Sequence, residues 1–93
     1  MVKIVWTEIA VDDLRNIHDY ISKDSERYAD RFIEKIINRV TQLENFPKSG
    51  CVVPEFNSVV IRELIEGNYR IIYKVSSSQV SIIRIHHAAR HLE

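Results

Sequence analysis

Ninety-three residues carry thirteen basic and thirteen acidic side chains, for a formal net charge of zero, and 45% of the chain is hydrophobic with only two glycines and two prolines. That composition is globular and of single-domain size, and it excludes a disordered polar chain as well as long-range attraction to nucleic acid or an anionic membrane through net charge. The sole cysteine, Cys51, rules out an intrachain disulfide and fits a reducing, cytoplasmic setting.

The opening "MVKIVW" is too short and too soon interrupted to read as a signal peptide, and no apolar run approaches a membrane span. Val2 to Trp6 is β-branched and weakly alternating, which predicts a short strand. Thr7 is a good N-cap, and Glu8, Asp12 and Asp13 crowd the following turns, where a helix dipole favours acid. Ala10, Leu14, Ile17 and Ile21 then form one apolar stripe on a helix from Glu8 to Lys23. "SKDSERY" interrupts the period, and Asp24 or Ser25 can cap a second helix. Its stripe is Ala29, Ile33, Ile36, Val40 and Leu43, widened by Phe32 and Ile37, and Phe46-Pro47 ends it. So short a connection makes the two helices an antiparallel hairpin.

"PKSGCVVPEFNS" reads as a loop. Three β-runs follow, Val59 to Ile65, Tyr69 to Val75 and Gln79 to His87, separated by the tight turns "EGN" and "SSS". The fold class is therefore α+β, one domain over residues 1–93 in the order β-α-α-β-β-β, with the helical hairpin on one face of a mostly antiparallel sheet. Leu92-Glu93 is open to reading as a vector-derived remnant and carries no weight.

The chemistry concentrates in the last two runs. With "SSS" as a three-residue loop, Val75 faces Gln79, and Tyr73, Ile71 and Tyr69 face Ser81, Ile83 and Ile85 on the helix-covered side. The other side then pairs Lys74 with Val80, Ile72 with Ile82 and Arg70 with Arg84, and His86 extends it. Two opposed arginines repel by about 0.2–1 kcal/mol and are relieved by an anion between them. That anion could be internal, Glu55 or Glu63, or a partner's carboxylate or a phosphate; the plainer alternative is an arginine lying flat on the strand, paired with Glu63 or Glu55. Arg62 shares the Arg70 face if "EGN" is a three-residue loop, and the tyrosine face if Gly67-Asn68 forms a two-residue type II′ turn.

"WTEIAVDDLRNIHDYIS", "FPKSG", "VPEF", "IRELIEGNYRIIYKV" and "VSIIRIHHAAR" occur in an order that resembles the RelE/ParE superfamily of toxins from bacterial toxin–antitoxin modules, over nearly the whole chain. The resemblance implies a helical hairpin on an antiparallel sheet, a cognate antitoxin that neutralises the protein, growth inhibition, and the plasmid stabilisation such modules confer. It implies one of two activities: ribosome-dependent mRNA cleavage without a metal, as in the RelE-like branch, or poisoning of DNA gyrase, as in the ParE-like branch.

RNA cleavage needs an activated 2′-hydroxyl, a protonated leaving oxygen and a stabilised phosphate. On the resemblance, Arg70 matches the family's strand arginine and would hold the phosphate with Arg62 or Arg84; Glu55 would be the base, and His86, ahead of His87, the acid. As an anion or antitoxin site the same region offers Arg70, Arg84, His86 and Arg90. Zero net charge and few lysines near these positions count against entry into ribosomal RNA, and "HHAARHLE" is more similar to the ParE-like ending. The ParE-like activity is therefore favoured, with the ribosome-dependent RNase second and a drifted, inactive antitoxin-binding module third. No cofactor or metal is called for, because His87 and His91, four apart, lack an evident third ligand and read as surface histidines. Tyr69 and Tyr73, at strand spacing on the apolar face, read as core.

Overall fold

In the computed structural model, which describes residues 1–89, the chain runs β1 (Lys3–Trp6), α1 (Glu8–Ser22), α2 (Glu26–Thr41), β2 (Cys51–Val52), β3 (Ile61–Glu66), β4 (Tyr69–Val75) and β5 (Gln79–His87). Short 3-10 turns occupy Gln42–Glu44 and Pro54–Phe56. The Thr7 hydroxyl accepts from Ala10 N at 3.2 Å and donates to Ile82 O at 2.7 Å, so one side chain caps α1 and ties it to β5. Ser25, not Asp24, caps α2 by accepting from Tyr28 N at 3.1 Å. Lys23 is the C-cap of α1 rather than its last turn.

The two apolar stripes meet the sheet as their spacing requires. Ala10 and Ile17 of α1, with Ala29, Phe32, Ile36 and Val40 of α2, are buried; Leu14, Ile21 and Ile33 pack against them half-buried. Burying a side chain such as Ile36 stabilises the fold by about 1.5–3 kcal/mol. Ile37 departs from expectation and stands exposed at the flank of the stripe.

The five-stranded sheet has the order β1-β5-β4-β3-β2, with β1 parallel to β5 and the other neighbours antiparallel. β2 arises inside the segment expected to be loop, where Cys51 pairs with Glu63 and Val52 with Arg62. β3 begins at Ile61 rather than Val59. Glu66 pairs with Tyr69 across Gly67-Asn68, and only Gly67 of the two has positive φ, at 58°, as a type II′ turn requires. That turn puts Arg62 opposite Tyr73, on the helix-covered side.

The β4–β5 register corrects the expected one. Ser76 N donates to Gln79 O at 2.9 Å, and Ser76 Oγ does so at 3.0 Å, which lengthens the loop by a residue and sets Val75 opposite Val80. Tyr73 then meets Ile82, a bulge skips Ile83, and Ile72, Ile71 and Arg70 meet Arg84, Ile85 and His86. Val80, Ile82 and Ile85 therefore join Ile71 and Tyr73 under the helices, whereas Ser81 and Ile83 do not. The cause lies in "VSIIRIHH": Val80/Ile82 and Ile83/Ile85 are apolar alternations of opposite phase, and one extra residue lets the core take the best of both. Arg70 and Arg84 consequently do not oppose each other.

Candidate functional site

Strand parity sets Arg70, Ile72 and Lys74 of β4 on the face away from the helices. Glu63 and Ile65 of β3 lie on one side of them, and Arg84 and His86 of β5 on the other. At the centre, Arg70 is held by two carboxylates. Its Nε donates to Glu63 Oε1 at 2.5 Å, and its Nη1 and Nη2 donate to the two oxygens of Glu55 at 2.7 and 3.0 Å. The second contact is the bidentate fork that guanidinium and carboxylate form best. Arg70 and Glu63 are nearly covered, at 12% and 13% side-chain exposure, while Glu55 keeps 39%. Glu55 arrives from the Pro54–Phe56 turn, which follows β2 and folds back over the open face.

The charges respond accordingly. The Arg70 donors, then the backbone N–H of Glu55 itself, hold the Glu55 carboxyl down at about 2. Glu55 and then Glu63 push the Arg70 guanidinium above its already high range. One positive and two negative groups leave the cluster one negative charge in excess. Ile72, beside it on the same face, is 1% exposed, so charge and apolar side chain share one covered centre.

The other expected residues divide. His86 lies directly across from Arg70, and its Nδ1 donates to His87 O at 2.8 Å, since a carbonyl can only accept. Arg84 occupies the open face by strand position, but its Nε donates to Asp13 Oδ2 of α1 at 3.0 Å. Asp13 Oδ2 also accepts from Ile85 N at 2.9 Å. β1 ends at Trp6 opposite Ile82, so the β5 edge beyond has no strand neighbour, and a helix carboxylate satisfies it instead. Arg62 is on the opposite face, where Nη1 donates to Gly50 O at 2.9 Å and Nε is buried without a hydrogen-bond partner. Arg90 and His91 lie outside the described residues. Glu55, Arg70 and His86 are thus brought together, and Arg62 is not.

Asp13 was legible only as a helix-terminus acid; nothing in its spacing announces a partner 71 residues away. Between α1 and the end of β5, Asp13, Tyr20, Arg84, His86 and His87 line a cleft of about 630 Å³. Behind the sheet, Tyr73 is fully buried, and burial pushes its phenol up; its oxygen accepts from Gly50 N at 2.9 Å. A Cβ on Gly50 would stand 2.5 Å from Glu63 O and 2.6 Å from that phenol oxygen, so only glycine fits the approach. Among the described residues, no group of three or more His, Cys, Asp or Glu could hold a metal ion, and no helix is long and apolar enough to cross a membrane.

The model of the ParE toxin of the type II toxin–antitoxin system parDE matches residues 4–92. The chain belongs to the ParE toxin family. Within the wider RelE/ParE superfamily it is 35% identical over 91 residues to Toxin RelE2 of Caulobacter vibrioides, covering 97% of this chain and 99% of the relative. Two solved structures share the fold. A chain of the chromosomal ParDE system from P. aeruginosa has a TM-score of 0.76 at 23% identity, over 94% of this chain and 96% of that one. A chain of the toxin–antitoxin complex RelBE2 from Mycobacterium tuberculosis has a TM-score of 0.66 at 18% identity, over 92% and 96%. This ParE-family chain is thus a type II toxin on the β-α-α-sheet scaffold expected from its sequence.

Proposed function

We propose that this toxin is neutralised by a cognate antitoxin and acts by gripping a protein target, DNA gyrase, rather than by cutting RNA. The observation that carries the choice is the Arg70 cluster. An arginine meant to hold a scissile phosphate must present uncompensated positive charge, whereas Arg70 is enclosed by Glu55 and Glu63 with one negative charge in excess. An approaching phosphate meets net repulsion there. A Glu55 carboxyl held at about 2 is also a weak base for a 2′-hydroxyl. Zero net charge over the chain points the same way, because ribosomal RNA is entered by neutralising phosphates. The two structural neighbours come from toxin–antitoxin systems, which supports an antitoxin partner for this chain as well.

One observation favours the second reading, a metal-independent, ribosome-dependent endoribonuclease: Glu55, Arg70 and His86 do converge on one face. Two assays on the same purified toxin separate the readings. The expected results are inhibited gyrase supercoiling, or gyrase-stabilised DNA breaks, and intact mRNA on programmed ribosomes. Codon-phased mRNA cuts with gyrase unaffected would reverse the assignment. Expressed alone in bacteria the toxin should slow growth, and co-expressed antitoxin should restore it; harmless expression of folded protein would mark a drifted member.

A further inference from the structure

We infer that the Nη edge of Arg70 is a carboxylate seat that Glu55 fills from within, and that an acidic side chain of a partner protein takes the seat by displacing Glu55. This rests on the proposed action through protein binding. The two glutamates are not equivalent. Glu63 is a strand residue whose backbone is fixed by pairing with Cys51 on one side and Ile72 on the other, and its side chain is nearly covered, so it has little room to move off Arg70. Glu55 sits in a three-residue 3-10 turn beside a two-residue strand and is far more exposed. The turn ends at Asn57 with φ 45° and ψ 44°, a left-handed conformation that asparagine adopts more readily than other residues with a Cβ. Withdrawing the Glu55 carboxylate breaks its two bonds to Arg70 and its contact with the Glu55 backbone N–H, and none of the strand pairing.

A partner carboxylate restores both bonds in the same forked geometry, so the exchange conserves its strongest contacts. What tips it is the rim. Phe56 adjoins Glu55 in sequence, Ile65 lies opposite Arg70 on β3, and both are exposed, at 43% and 52%; Val59 is more exposed still. A protein segment that brings an acid also covers this apolar surface, which a free anion cannot do. Protein fits better than nucleic acid for a second reason. With Glu55 gone, Arg70 and Glu63 remain as a neutral pair, sufficient for one carboxylate and poor for a run of phosphates.

The test uses the whole chain in solution, followed through the Arg70 Nε–Hε resonance and the Glu55 carboxyl carbon. Sodium acetate is titrated at constant ionic strength into wild type, Glu55→Ala and Glu55→Gln. The expected result is that both variants bind acetate at least about tenfold more tightly than wild type, whose seat is held by a tethered competitor. Equal response in all three folded proteins overturns the inference. The second arm adds the cognate antitoxin. A moved Glu55 carboxyl signal in the complex is expected; a complex in which Glu55 keeps its free-state signal also overturns it. If no complex forms, the proposed antitoxin partnership fails instead, and the acetate arm still decides whether the seat exists.

Discussion

The two faces of this sheet are held together in different ways. Under the helices, Ile71, Tyr73, Val80 and Ile82 are fully buried against Ile17, Ile36 and Val40, and stability is spread over many close-packed contacts. On the open face a single guanidinium organises the centre, with two carboxylates of unequal exposure around it and Ile72 tucked beside them. The covered face should lose stability in proportion to the volume removed. The open face should respond to charge balance, so that removing one member strands another.

Four single substitutions, ranked from the largest expected effect down, and one double replacement probe that contrast. Ile36→Ala on the covered face should cost about 2–5 kcal/mol in denaturant unfolding, the range for emptying a buried isoleucine site. Arg70→Gln should cost about 3 kcal/mol, because Glu63 is left nearly buried without its cation. Replacing Arg70 and Glu63 together by methionine should recover much of that loss, which a purely volumetric face would not show. Tyr73→Phe should cost about 1–2 kcal/mol by orphaning the buried Gly50 N–H, with the packing otherwise kept. Arg84→Gln should cost less than about 1 kcal/mol, since its pair with Asp13 is half exposed and Asp13 retains the Ile85 N–H. An Arg70→Gln loss no larger than that of Arg84→Gln would erase the distinction between the faces.

Much of the fold was legible because its signals are local. Thr7 and the α1 and α2 stripes need only neighbours three and four residues away, whereas "EGN" allowed two turn lengths and only the strand pairing chose the Gly67-Asn68 turn. The β5 bulge was not legible, because "VSIIRIHH" supports two alternations and only the packed core chooses between them. Within the candidate site, Arg70 and both glutamates were in view as an internal pairing, but the simultaneous capture by Glu55 and Glu63 depends on where the Pro54–Phe56 turn folds. The Arg84 partner was hidden for the same reason: Asp13 and Arg84 meet only when α1 lies along the open end of β5. A double Arg70, Arg84→Gln change should destabilise the fold, chiefly through the Arg70 half, because Arg70 and not Arg84 is held by two carboxylates.

That Arg70 is an internally balanced charge, not a waiting phosphate ligand, is tested most directly by titrating the Glu55 side-chain carboxyl by NMR. Glu55 should titrate at about 2 instead of its ordinary 4.5, held down chiefly by the Arg70 donors. The sign follows from a folded-state value below the unfolded one: Glu55 contributes its stability above about pH 4.5, and that contribution is lost as pH falls toward 2. In the Arg70→Gln protein the titration should return toward 4.5, and the matching acid-side loss of stability should shrink. A wild-type Glu55 that titrates near 4.5 and does not respond to Arg70→Gln would mean that the fork is absent in solution and Arg70 is free for an anion.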